Sequence, residues 1–256
     1  MNKVYLVGAG PGDPELLTRK AWRLLNEATL VVYAGSLVPE DILSSIKARK
    51  IDSSPLTLEE IVGYLKHGYQ AGELVVRLHS GDPTLYGAIQ EEMQRLKELG
   101  VPFEIVPGVS SFLAGAAALS CELTVPEITQ TVILTRAEGR TPVPEDLSEL
   151  ARHQATMVLF LSASLVEKVV KALLKGGYPP ETPAACVYRV GWPEEKVIRS
   201  SLANLASRMT EAGIKKQALI YVGWALDPPR KTRSKLYDPG FSHGARHRKD
   251  DTTDTL

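Results

Sequence analysis

Apolar positions along the first half of the chain come in short blocks that alternate between two spacings. Residues 4–7 form a continuous apolar run closed by Gly8, the pattern of a buried strand. Over residues 15–28, Leu17, Ala21, Leu24 and Ala28 recur at spacings of four, three and four, which predicts a helix with one face against a sheet. The alternation continues with a strand over 29–33, a short helix over 39–46 and an amphipathic helix carrying Leu58, Ile61, Val62 and Leu65. A strand over 73–78, a helix over 87–99, a strand over 103–106 and an alanine-rich helix over 109–119 complete the series. Strands that alternate with helices predict a parallel sheet covered on both faces.

Around residues 122–129, with Pro126, the rhythm breaks, and a second apolar series starts at Thr131. A domain boundary is therefore expected there, with one α/β domain over 1–123 and a second over 124–228. The second half predicts strands at 131–135, 156–161, 184–188, 196–199 and 218–222, and helices at 164–175 and 202–212. The proline-containing turn between 188 and 196 is too short for a helical crossover, so this second sheet is expected to be mixed. Beyond Pro228 periodic apolar positions stop, and residues 229–256 are expected to form a disordered tail.

Composition narrows the partners. The 256 residues carry 30 Lys and Arg against 30 Asp and Glu, so the chain lacks the basic field that nucleic acid or an anionic membrane rewards. Cys121 and Cys186 are the only cysteines, too few for a disulfide scaffold or a paired-cysteine metal site, and both read as core residues. No apolar stretch approaches the roughly 18 residues that span a bilayer, and the N-terminus reads as a strand rather than a signal peptide. The expected location is the cytoplasm. His243 and His247 are four apart, but Gly240 and Gly244 oppose the helix that would bring them together, so no metal site is expected.

Three glycine-bearing turns hold the candidate chemistry. Gly8, Gly10 and Gly12 follow the first strand, where backbone amides can approach a ligand. The dinucleotide spacing fails, because its third glycine would stand at Asp13 and no acid ends the second strand near Tyr33. The Gly-Lys-Ser/Thr ending of a phosphate loop is also missing. On pattern alone a plain tight turn and a ligand loop both stay open here. The runs His79-Ser80-Gly81-Asp82-Pro83-Thr84-Leu85-Tyr86-Gly87 and Pro107-Gly108-Val109-Ser110-Ser111 follow later parallel strands. Ligands bind outside the carboxyl ends of strands in such sheets, so three glycine-rich loops on one edge point to a small-molecule site.

The segment from Val7 to Thr18, the Gly81-Asp82-Pro83-x-x-Tyr86-Gly87 run and Val106 to Ser111 resemble the signatures of the tetrapyrrole methyltransferase family. Segments 130–145 and 217–226 are similar to the branch that acts at C-11 of a corrin precursor, with or without cobalt. The resemblance covers about residues 3–228. It implies two α/β domains with the active site in a cleft between them, S-adenosylmethionine as methyl donor, a small tetrapyrrole as substrate and a homodimer. Another ring position, as in uroporphyrinogen-III methylation, stays open, as do an RNA- or protein-methylating relative and a silent ligand-binding protein.

Carried onto this sequence, the resemblance implies cofactor contacts at Pro11, Ser80, Gly81, Asp82, Leu85, Ser110 and Ser111. From the second half it implies Leu161, Tyr188, Arg189, Val190 and Ala218. Ser80 departs from the commoner glycine of the family and adds a hydroxyl there. A sulfonium is already activated and the ring carbon is the attacking atom, so the reaction asks for alignment and for somewhere to send a proton. Asp82 and Asp13 are candidates for orienting the pyrrolic nitrogens or taking that proton, with Tyr86 behind them; loop capping is the competing role of both aspartates. The substrate carries several carboxylates, for which Arg136 and Arg140, flanking Glu138, offer guanidinium forks. A solvated Arg–Glu surface pair is the alternative. His79 is a further candidate anion contact, against a structural role at the end of its strand.

Overall fold

A computed structural model describes residues 3–229, 232–238, 240–242 and 244. The chain divides into two compact units. The first runs to Leu119 and includes Val187–Val197 and Lys216–Leu219; the second holds Ser120–Cys186, Ile198–Lys215 and the residues from Ile220 on.

The first unit is built on β1 (Val4–Gly8), α1 (Arg19–Glu27), β2 (Leu30–Tyr33), α2 (Glu40–Ser44), β3 (Arg49–Asp52), α3 (Leu58–Gln70), β4 (Val75–His79), α4 (Ile89–Glu98), β5 (Phe103–Val106) and α5 (Ser111–Ala118). Its strands form a five-stranded sheet in the order β3-β2-β4-β1-β5, and every recorded pairing is parallel. Successive side chains of a strand point to opposite faces, and the core divides accordingly. Val7, Val31, Val76 and Leu78 pack with Ala21, Leu24 and Leu25 of α1 and Ile42 and Leu43 of α2. Val4, Leu6, Leu30, Val32 and Val75 pack on the other face with Ile61, Val62 and Leu65 of α3 and Ile89 and Leu96 of α4. Both faces are therefore covered, as the continuous apolar runs require.

The second half supplies β6 (Val132–Arg136), α6 (Leu147–Ala151), β7 (Thr156–Phe160), α7 (Val166–Lys175), β8 (Pro183–Tyr188), β9 (Lys196–Ser201), α8 (Leu202–Glu211) and β10 (Ala218–Val222). Its sheet has the order β6-β7-β10-β8-β9. β6 runs parallel to β7 and β10 antiparallel to it, so the sheet is mixed, as expected. Cys186 is buried and Cys121 half-buried; burial pushes the Cys186 thiol up to about 12. No helix among the described residues is long and apolar enough to cross a membrane.

Several boundaries differ from expectation for local reasons. The helix expected over 15–28 starts only at Arg19, because a 3-10 turn at Pro14–Leu16 precedes it and Thr18 then caps α1 by accepting from the Ala21 amide at 3.2 Å. The helix expected from 87 starts at Ile89, after Tyr86 and Ala88 take left-handed backbone. β3 and α6 were not expected at all: β3 is a mostly exposed, charged edge strand and α6 a single short turn. In the expected tail, Lys235–Tyr237 forms a 3-10 turn capped by Ser234. Most of that tail, and with it both His243 and His247, lies outside the described residues.

Candidate active site

The strand order decides where a ligand can sit in the first unit. From β1 the chain leaves toward β2 on one side, whereas from β4 it crosses β1 to reach β5 on the other. Adjacent parallel strands whose connections leave in opposite directions mark the switch point at whose carboxyl ends ligands bind. The loops that follow β4, β1 and β5 are the three glycine-bearing turns, brought side by side although 71 and 99 positions of sequence separate Val4 from its register partners Val75 and Phe103.

These loops meet backbone to backbone. Gly10 and Gly81 form an antiparallel bridge, with the Gly81 amide donating to the Gly10 carbonyl at 2.7 Å and the Gly10 amide returning at 3.2 Å. A Cβ on Gly8 would lie 2.5 Å from the Gly81 oxygen and 2.7 Å from the Gly108 Cα. Gly81 itself has φ +61, and a Cβ there would make only ordinary van der Waals contact, no closer than 3.8 Å to the Ser111 amide at the start of α5. Asp82 fastens the second loop to the third. Its Oδ2 accepts from the Gly108 amide at 2.9 Å and its Oδ1 from the Thr84 amide at 2.8 Å. Burial would raise the Asp82 carboxyl, but hydrogen bonds from the Thr84 hydroxyl and the Gly108 and Thr84 amides outweigh it and hold the group below its usual range. Asp82 is thus a carboxylate and a weak base.

The remaining expected residues fall into place unevenly. Pro11 is buried, Ser80, Leu85 and Ser111 are half-buried, and buried Ser110 precedes α5. Asp13 caps the 3-10 turn, its Oδ1 accepting from the Glu15 amide at 2.8 Å. Tyr86 is exposed on left-handed backbone at φ +56. Tyr188, Arg189, Val190 and Ala218 belong to the first unit with these loops. Arg189 joins them through its amide, which donates to the Gln217 carbonyl at 2.9 Å. Leu161, at the end of β7, is 70% exposed and has φ +52, a costly conformation for a large apolar side chain.

The structure bears on one candidate role and on one alternative. His79 is only 4% exposed, so it is no surface contact for an anion. Burial lowers its pKa and keeps the ring neutral, with Nε2 3.6 Å from a Glu92 oxygen, beyond hydrogen-bond range. Arg136 and Arg140 do not pair with Glu138. Lys168 does, at 3.4 Å, while the Arg136 guanidinium closes its own loop by donating to the carbonyls of Thr141 at 3.3 Å and Pro142 at 2.7 Å. Arg140 is exposed, and among the described residues no acidic side chain pairs with it.

The sequence reading missed the support beneath the second loop. Arg77 of β4 donates through Nε to Glu92 Oε1 at 3.0 Å and through a terminal nitrogen to the Ser53 hydroxyl at 3.0 Å. Both members of the ion pair are buried. Glu92 stands in the first turn of α4, so the pair ties the strand that enters the 80–88 loop to the helix that leaves it. An arginine inside an apolar strand was the available signal; Glu92 alone reads as an ordinary helix-surface charge. Among the described residues, no group of three or more His, Cys, Asp or Glu side chains is placed to hold a metal ion.

Comparison with known proteins adds four findings. Residues 3–206 match the family described as tetrapyrrole (corrin/porphyrin) methylases. A cobalt-precorrin-4 C(11)-methyltransferase of Priestia megaterium is 51% identical over 251 residues, covering 95% of this chain and 97% of the relative. Among solved structures, a cobalt precorrin-4 methyltransferase of cobalamin biosynthesis superposes with a TM-score of 0.86 at 50% identity, over 88% of this chain and 96% of that one. A uroporphyrin-III C-methyl transferase from Thermus thermophilus, complexed with S-adenyl homocysteine, superposes with a TM-score of 0.77 at 33% identity, over 91% of this chain and 97% of that one.

Proposed function

Since the chain belongs to the tetrapyrrole (corrin/porphyrin) methylase family, we propose that it methylates C-11 of precorrin-4, or of its cobalt complex, during corrin-ring construction, with S-adenosylmethionine as donor. The observation that carries this reading is the junction of three glycine loops at the carboxyl ends of β4, β1 and β5, where Gly81 holds left-handed backbone and a Cβ on it would meet nothing closer than the Ser111 amide at 3.8 Å. That cradle fits a nucleoside-linked amino acid: a helix N-terminus, whose dipole favours a carboxylate, stands beside glycines that let a ligand approach the backbone closely.

When bound, S-adenosylmethionine supplies a methyl group already activated on a sulfonium. The chain's part is to hold and to shield. Pro11, Ser80, Gly81, Asp82, Leu85, Ser110 and Ser111 are the proposed cofactor contacts in the loops, with Tyr188, Arg189, Val190 and Ala218 beside them. Leu161, strained and exposed at the end of β7, is a further proposed contact. Loops locked to one another by backbone bonds do not have to be ordered at the moment of reaction, and alignment of this kind can lower a barrier by about 7–11 kcal/mol. Asp82, ionised and doubly bonded, suits the orienting of pyrrolic N–H groups better than accepting a proton. Asp13 and Tyr86 remain the proposed acceptors. Arg140, with its unpaired charge, is the proposed carboxylate contact on the macrocycle.

The test is product analysis by mass spectrometry and NMR after incubating the purified chain with S-adenosylmethionine and either precorrin-4 or its cobalt complex. One added methyl at C-11 is the expected result, and the ratio of the two rates gives the metal preference. Methylation at another carbon, or of no tetrapyrrole, would overturn the reading.

A further inference from the structure

The turn after β8 grips the first glycine loop. The Trp192 indole Nε1 donates to the Pro11 carbonyl at 3.2 Å. Gly12 lies so close under the same ring that a Cβ there would stand 2.6 Å from Nε1. Gly191, with φ +77, completes the grip, since a Cβ on it would be 2.9 Å from the Asp13 amide and 3.4 Å from Pro11 Cγ. Two glycines and an indole thus fit together over three consecutive loop residues, and all of them belong to the first unit.

Trp192 is itself held. The Arg189 guanidinium lies 5.1 Å from the centre of the Trp192 ring and 5.5 Å from that of Tyr188, stacked against both. Its Nε donates to Gln217 Oε1 at 3.0 Å and a terminal nitrogen pairs with Glu194 at 3.2 Å. The Trp192 amide donates to the Arg189 carbonyl at 3.0 Å and the Gly191 amide to the Glu195 carboxylate at 2.8 Å, which closes the turn. Arg189 sits at φ +46, a conformation that L residues other than Asn and Asp rarely keep unless their surroundings dictate it.

We propose that Trp192, clamped by Arg189, is a positioning residue for the cofactor loop: it sets where the Pro11–Gly12 turn stands and so how tightly an adenosyl sulfonium or its thioether product is held. Arg189 then acts through Trp192 as much as by touching the ligand. The inference rests on the methyltransferase reading above and adds to it a residue outside the glycine signatures. It also separates two properties. The grip acts on the loop and not on the reacting atoms, so cofactor affinity depends on it while turnover at saturating cofactor does not.

The test uses the full chain and S-adenosylhomocysteine, titrated by calorimetry. Trp192→Phe keeps a ring over Gly12 and removes only the donor to Pro11. It is expected to raise the dissociation constant about tenfold, the size of one well-placed hydrogen bond. KM for the methyl donor should rise in step, with KM for the tetrapyrrole and kcat within about twofold of wild type. The unfolding temperature without ligand should stay near that of wild type, while the rise on adding ligand shrinks. Gln217→Leu, which loosens Arg189 and leaves Trp192 in place, should shift affinity in the same direction by less, and it carries the test if Trp192→Phe does not fold. Wild-type affinity in both variants, or a fall in kcat with KM unchanged, would overturn the inference alone. Failure of the wild-type chain to bind S-adenosylhomocysteine would overturn the methyltransferase reading and the inference with it.

Discussion

Gly108 and Gly81 are both glycine, but for different reasons. Gly108 has no room: a Cβ would stand 2.9 Å from the Gly8 Cα and closer still to the Gly81 carbonyl. Gly81 has room but a left-handed backbone. Gly108→Ala should therefore push the third loop off the first two, lowering stability by about 1–3 kcal/mol and abolishing S-adenosylhomocysteine binding. Gly81→Ala should cost about 1–2 kcal/mol through backbone strain and leave the loops joined. Urea unfolding with ligand titration of both variants checks this, and equal binding loss in the two would contradict it. A valine at 81 mixes strain with steric exclusion and is the poorer probe. The glycines themselves were legible in the sequence as ligand-loop candidates. Which of them needs space and which needs φ was not, because that depends on loops brought together from separate segments of the chain.

At the scale of elements, β4 and α4 are joined across the cofactor loop by a buried ion pair. Removing one partner leaves the other charged and unsolvated, so Glu92→Gln should destabilise the chain by about 3–5 kcal/mol in urea unfolding. Arg77→Met with Glu92→Leu should recover most of that. His79 makes the same region sensitive to acid. Its folded pKa lies below the ordinary imidazole value of about 6.5, so as pH falls through that value the unfolded state takes up a proton first and stability drops. Glu92 and Asp82, also held low, extend the loss into the carboxylate range. Replacing His79 with Gln should flatten the fall in unfolding temperature between about pH 7.5 and pH 5.5, and an unchanged slope would exonerate it. Most elements could be read from apolar spacing because their burial is one-faced or complete. β3 could not: Arg49, Lys50 and Asp52 are exposed on an edge, where pairing with β2 rather than side-chain burial makes the strand. The start of α1 was misplaced because the chain first makes a separate 3-10 turn capped by Asp13, and Leu17 is extended before Thr18 caps the helix.

Across the whole molecule, 30 basic and 30 acidic residues cancel, so recognition of a polycarboxylate has to come from local groups. Arg136 is occupied by its own loop and Arg140 is not. Arg140→Ala should then raise KM for the tetrapyrrole about tenfold and leave S-adenosylhomocysteine affinity unchanged, as steady-state kinetics and calorimetry would report. Arg136→Ala should act mainly on stability. The α/β class, the parallel and mixed sheets and the three glycine loops are legible along the chain, because apolar periodicity and glycine placement are local properties written in consecutive residues. That β4, β1 and β5 lie side by side, that His79 faces inward, that Glu138 prefers Lys168 and that Trp192 closes on Pro11 emerges from the folded chain alone. Those are matters of pairing between distant segments, which depend on burial and on competition among partners.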